Sequence, residues 1–201
     1  RSYRYPPAAR NASAQNMATG CRALGIRTAD APAAVLTAPR LQHGMPREAC
    51  IACGTCHQGC RTGAKATMGT TYLPAAIGNG AEIRAGAMVH TIETDATGRV
   101  RAVVYRQDGV EIRQACRALV LSAGGVETPR LLLANDLANG SGQVGRNFLA
   151  HPATQVWGTF DVQQRSYRGY PSSLITEDFL APQGADFAGG YLIQGLGVMP
   201  L

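Results

Sequence analysis

The chain has 201 residues, of which 45% are hydrophobic and 16% charged, and a formal net charge of +6. That apolar share excludes a disordered chain, and the length suits one large domain or one and a half. No apolar run is long enough for a membrane-spanning helix, no signal peptide is visible, and the arginines are scattered singly, which argues against a nucleic-acid partner. Lys65 is the only lysine, and the sequence begins at Arg1 rather than Met, so nothing here assigns a compartment.

Residues 1–9 are rich in Tyr and Pro and read as an extended lead-in. From Asn11 to Leu24, Ala14, Met17, Ala18, Cys21 and Leu24 recur at helical spacing, with Gly25 where a left-handed stop belongs. Residues 28–49, with Pro32, Pro39 and Pro46, show no period and read as a long irregular segment that covers something. A further helix is expected from Thr70 to Ile77, ended by Gly78 and Gly80.

Three strands follow. Ala87–Thr94 comes first, and Arg99–Arg106 and Val110–Ala115 alternate apolar and polar, with Thr97-Gly98 and Asp108-Gly109 as turns, which predicts a small antiparallel meander with one wet face. Ala118–Ala123 is a continuous apolar run, as a strand buried on both faces requires. Gly124-Gly125 ends it. Thr128 as N-cap and Pro129 at the first helical position then open a helix through Ala134. Such a strand, glycine turn and helix start can bring backbone against a ligand. Residues 153–201 alternate loosely and read as β-rich.

Cys50, Cys53, Cys56 and Cys60 are spaced C-x2-C-x2-C-x3-C, the spacing of the bacterial iron–sulfur run, with Gly54 and Gly59 allowing a tight loop. Arg61 replaces the usual Pro, and no second run completes a two-cluster ferredoxin. Zinc, a disulfide and plain buried thiols all remain open. Gly140-Ser141-Gly142-Gln143-Val144-Gly145 matches G-x-G-x-x-G by chance, because it follows a helix and opens none. Ser141, His151 and Asp161 lack the G-x-S-x-G elbow of a hydrolase.

The ordered set Cys56-x3-Cys60-x2-Gly63-Ala64-Lys65, Thr71-Tyr72-Leu73-Pro74-Ala75-Ala76, Gly80-Ala81-Glu82-Ile83, Ser122-Ala123-Gly124-Gly125-Val126-Glu127-Thr128-Pro129-Arg130-Leu131-Leu132 and Gly142-Gln143-Val144-Gly145-Arg146-Asn147-Phe148-x2-His151-Pro152 resembles the middle of a glucose–methanol–choline (GMC) flavoprotein oxidoreductase. The resemblance runs from about Tyr5 to Pro152. It implies an α/β fold with α+β elements. Residues 1–152 would be part of an FAD-binding domain with a central parallel sheet and a three-stranded meander, and residues 153–201 the start of a β-rich substrate domain.

The resemblance also implies oxidation of a CH–OH group of a small alcohol, sugar or sterol by hydride transfer to FAD, with an electron-acceptor protein as a further partner. Val89 stands where the family's strand backbone meets the FAD adenine. Ala123, Gly124 and Gly125 stand in the loop that approaches the cofactor. Some dehydrogenases of the family carry an iron–sulfur cluster in a cysteine-rich segment and others keep similar cysteines without one, so Cys50, Cys53, Cys56 and Cys60 are the candidate metal ligands. Ala150 replaces the family's usual Asp before the His. The family's N-terminal G-x-G-x-x-G unit and its late His pair are not among these residues. On the resemblance the chain is an internal fragment, no catalytic base is assigned, and FAD binding alone would be weak or absent. The alternative is a small iron–sulfur or zinc module that carries electrons or holds a partner.

Overall fold

The structure is a computed structural model that describes residues 10–181, 184, 186 and 189–197. The expected lead-in at 1–9 lies outside the described residues. The chain divides into two compact units, Arg1–Ala81 with Gly158–Leu201, and Glu82–Trp157.

In the first unit, α1 (Ala12–Ala23) begins where expected: Asn11 Oδ1 accepts the Ala14 N–H at 2.8 Å. Its end is a Schellman turn, with Gly25 at φ +70° and the Ile26 N–H donating to Cys21 O at 2.8 Å. Ala14 and Cys21, seven residues apart, form the buried stripe. Asn11 is itself buried, because its Nδ2 donates to Tyr170 O and Pro171 O, each at 3.1 Å. One side chain thus caps a helix and clamps it to a segment 159 residues away in sequence.

That segment leads into β7 (Leu174–Thr176), the middle strand of an antiparallel sheet between β1 (Ala29–Asp30) and β8 (Ile193–Gln194). Leu174 is fully buried. A Cβ on Gly195 would stand 3.0 Å from Ala14 Cα, so this glycine lets the chain beyond β8 lie against α1.

The stretch 28–49 is less irregular than its prolines suggest. It holds β1 and a hairpin of β2 (Arg40–Gln42) and β3 (Met45–Arg47). The turn residues His43 and Gly44 both have positive φ, 51° and 76°. His-Gly is a weak turn signal beside Asn-Gly, which hid the hairpin. The expected helix at 70–77 splits into a 3₁₀ turn (Met68–Thr70) and α2 (Tyr72–Gly78).

In the second unit the meander forms as expected, from β4 (Met88–Thr94), β5 (Val100–Gln107) and β6 (Val110–Ala115). Ile92, Ala102 and Tyr105 are its buried residues. Asp108 (φ 51°) and Gly109 (φ 81°) make the tight turn between β5 and β6.

Two expectations fail here. Ala118–Ala123 forms no strand and has no ladder partner among the described residues, and Val120 is 85% exposed. A two-sided strand needs a neighbour on each edge, and the described residues supply none; their sheets are antiparallel. The helix does not start at Thr128 either. α3 runs Gly124–Ala134 with Pro129 inside it, and Thr128 Oγ1 turns back to accept the Ala123 N–H at 3.0 Å. Pro129 is its sixth residue, so the missing N–H costs one bond, to Gly125 O. Beyond residue 153 the described strands are only β7 and β8, and the alternating stretch 153–160 is exposed and unpaired.

Candidate functional site

Val89 lies in β4 opposite Tyr105. The register shifts between Val89 and Thr91, a bulge at His90, and bulges re-aim side chains. Val89 lines an open groove with Glu82, Arg84, Ala87, Val103, Tyr105 and Gln114. Arg84 organises this groove. Its guanidinium donates to both Glu82 oxygens (2.6 and 2.9 Å), to Tyr105 Oη (2.7 Å) and to Gln114 Oε1 (2.9 Å). The hydrogen bond from Arg84 holds the Glu82 carboxyl below its usual range, and Glu82 in turn holds Arg84 protonated. Sequence reading missed Arg84, Tyr105 and Gln114, because they meet only when three chain segments pair.

Ala123, Gly124 and Gly125 sit at the start of α3 and are exposed. Gly124 has φ +91° and open space where a side chain would stand. At Gly125 an added Cβ would come 3.3 Å from a Phe148 ring carbon. The first-turn backbone N–H groups of a helix have no intrahelical partner, and here the residues of that turn are exposed. That suits the close approach of a phosphate-bearing cofactor. None of Ala123, Gly124 and Gly125 lines the Val89 groove. The two features share one unit, in which α3 packs against β4, but they are not one pocket.

The cysteine segment belongs to the other unit. Cys50, Cys53, Cys56 and Cys60 line one small pocket with Val35, Lys65 and Tyr170. Cys50 Sγ accepts the Ala52 N–H at 3.4 Å, Cys60 Sγ accepts the Lys65 N–H at 3.3 Å, and Cys53 Sγ is 3.1 Å from Thr55 Oγ1. Lys65 Nζ donates to Cys56 O at 2.7 Å. The Thr55 hydrogen bond holds the Cys53 thiol below its ordinary range. Burial, and then Cys50, Cys53 and Cys60, push the Cys56 thiol up. Burial works against ionisation of Cys60 too, but hydrogen bonds from Lys65 and Thr62 outweigh it and hold that thiol down.

The four thiols share a pocket without converging. Among the described residues no group of three or more His, Cys, Asp or Glu side chains could hold a metal ion, and no disulfide joins any of the six cysteines. The Cys50, Cys53 and Cys60 sulfurs are engaged by loop N–H and hydroxyl groups. This arrangement fits neither the iron–sulfur nor the zinc expectation, and no arrangement of residues favours the free-standing metal module.

Comparison with known proteins agrees with the order of motifs. The sequence model of the GMC oxidoreductase family matches residues 7–153. The fructose dehydrogenase large subunit of Gluconobacter japonicus is 36% identical over 121 residues, covering 52% of this chain and 22% of that protein. A 2-methyl-1,2-propanediol dehydrogenase of Mycolicibacterium austroafricanum is 34% identical over 157 residues, 74% of this chain and 28% of that protein. A long-chain-alcohol oxidase of Arabidopsis thaliana is 30% identical over 176 residues, 81% and 22% respectively. The chain thus spans about a quarter of the length of these curated relatives.

Proposed function

Because the chain belongs to the GMC oxidoreductase family, we propose that it is the central part of an FAD-dependent oxidoreductase acting on a CH–OH group. Bound FAD would supply the hydride acceptor. The observation that carries this reading is the family match over residues 7–153, which takes in both the Val89 strand and the glycine-opened start of α3. The three relatives are named for oxidising a sugar, a diol and a long-chain alcohol, which supports an alcohol-type substrate.

In this reading the β4 backbone at Val89 holds the adenine, in a groove whose shape the Arg84 hydrogen bonds keep. Ala123, Gly124 and Gly125 let main chain approach the cofactor without a side chain between. The apolar, exposed run Ala118–Ala123 becomes a strand of the family's parallel sheet when flanking strands pair with it. Residues 1–152 then belong to the FAD-binding domain and residues from 153 onward to the substrate domain. An electron-acceptor protein completes the proposal as the partner that reoxidises the flavin.

The test is the full-length protein that carries this chain. Its visible spectrum and the nucleotide released on denaturation should give one FAD per chain. A panel of sugars, diols and long-chain alcohols with an artificial electron acceptor should identify an oxidised substrate. A folded full-length protein that holds no flavin, and takes none up, would overturn the reading.

A further inference from the structure

Four cysteines share a pocket that the flavin reading does not use, and their sulfurs do not converge as a metal requires. Cys50–Cys53 and Cys53–Cys56 are both C-x-x-C pairs, and only the second has a glycine bend between its cysteines. We propose that Cys53 and Cys56 form a redox-active dithiol that exchanges with low-molecular-weight disulfides.

The geometry of the segment carries this. The chain bends between the two cysteines at Gly54, which has φ +82° and is buried. A Cβ on Gly54 would stand 1.8 Å from Tyr167 O, so the bend is pressed against the 167–169 segment. Gly169 N–H, in the same segment, donates to Ala52 O at 3.0 Å and ties the bend to it. After Cys53, the Thr55 carbonyl accepts the N–H groups of Gln58 and Gly59, both at 3.0 Å, so the chain curls back at once. Two thiols separated by two residues across a held bend, and lining one small pocket, lose little chain entropy on bridging.

The surroundings assign the roles. Thr55 Oγ1, 3.1 Å from Cys53 Sγ, can donate to that sulfur when it is a thiolate. Cys56 is anchored on its backbone side by Lys65 Nζ. Cys53 is therefore the attacking sulfur and Cys56 the resolving one. In the first step the Cys53 thiolate forms a bond to one sulfur of a small disulfide, whose S–S bond breaks, and one thiolate leaves and takes a proton. In the second, Cys56 gives its proton to solvent and attacks the Cys53 sulfur, and the second small thiol leaves. Two protein thiols are oxidised to one disulfide, and one small disulfide is reduced to two thiols.

The full-length protein is reduced, treated with a chelator, assayed for iron and zinc, and equilibrated in glutathione buffers of graded ratio. Free thiols are then blocked with one alkylating agent and, after reduction, the remainder with another, and mass spectrometry assigns each cysteine. Cys53 and Cys56 should leave the reduced pool together at one midpoint. Cys56→Ser should stop at a glutathione adduct on Cys53, with the far-UV circular dichroism spectrum checking that the variant is folded. Cys53→Ser should leave Cys56 reduced, and Cys116→Ser should change nothing. The proposal is overturned if both thiols stay reduced at the most oxidising ratio, if they titrate independently, or if Cys53 pairs with Cys50 or Cys60. Iron or zinc that survives the chelator on these sulfurs would overturn it as well.

Discussion

Asn135 holds Ile92: its Oδ1 accepts the Ile92 backbone N–H at 2.8 Å, while its Nδ2 donates to His90 O at 3.1 Å and Leu131 O at 2.8 Å. Asn135 is the C-cap of α3, His90 is the bulged residue of β4, and Ile92 lies two residues further along that strand. β4 is an edge strand of its sheet, and this one side chain satisfies two of its backbone groups while closing the helix. Asn135→Ala should therefore lower the stability of the second unit by about 1–3 kcal/mol, because it strands half-buried backbone groups. Asn135→Asp, which keeps the acceptor and loses the donors, should fall between. Thermal or urea denaturation measures both.

Gly54 and Gly44 separate backbone conformation from contact. Both have positive φ, but Gly44 has open space around it and Gly54 faces Tyr167 O. Gly44→Ala should cost about 1–2 kcal/mol from the left-handed conformation alone. Gly54→Ala should cost clearly more, because a backbone carbonyl must move. Equal losses in a denaturant midpoint comparison would show that the two segments are not packed as described.

The turn between β4 and β5 should depend on pH. Asp95 accepts from Thr97 N (2.9 Å), Thr97 Oγ1 (2.6 Å), Arg99 N (3.1 Å) and Arg101 Nε (2.8 Å). The Thr97 hydroxyl first, then the backbone N–H groups and Arg101, bring its carboxyl down from 3.8 to about 2. A depressed carboxylate contributes stability that is present above its unfolded value and is lost as pH falls through the folded one. Amide exchange at Gly98 and Arg99 should thus rise, after correction for intrinsic rates, as pH falls from 3.8 toward about 2. Asp95→Asn should remove that dependence.

The flavin reading makes Gly125 sensitive to side-chain volume. An added Cβ already meets the Phe148 ring at 3.3 Å, and a larger group would stand over the backbone proposed to approach FAD. In the full-length protein Gly125→Leu should lower the flavin content at least tenfold. Far-UV circular dichroism should change little, because the position is exposed. Unchanged flavin content would remove this loop from the cofactor site.

Some of the fold was legible in the residues. Asn11 before an apolar stripe and Gly25 after it mark α1 at both ends, and the Thr97-Gly98 and Asp108-Gly109 turns mark the meander, because caps and turns act over four or five residues. The start of α3 was misplaced for a physical reason. Thr128-Pro129 has the chemistry of a helix start, but an isolated motif cannot show that Gly124 already takes up the first turn. The sites were legible in part. Val89 and the paired glycines could be named from the ordered motifs, whereas Arg84, Tyr105 and Gln114 come from three separate stretches of chain.

Membership of the family, the capped helix and the hairpin turns were written in the order of the residues, since each rests on interactions between near neighbours along the chain. Tertiary structure alone decided that β1 pairs with β7 across more than a hundred residues, that Asn11 clamps Tyr170 and Pro171, and that four regularly spaced thiols line one pocket without converging on a metal. Spacing limits which side chains can meet, but the partners that reach the Cys50, Cys53 and Cys60 sulfurs are set only after folding.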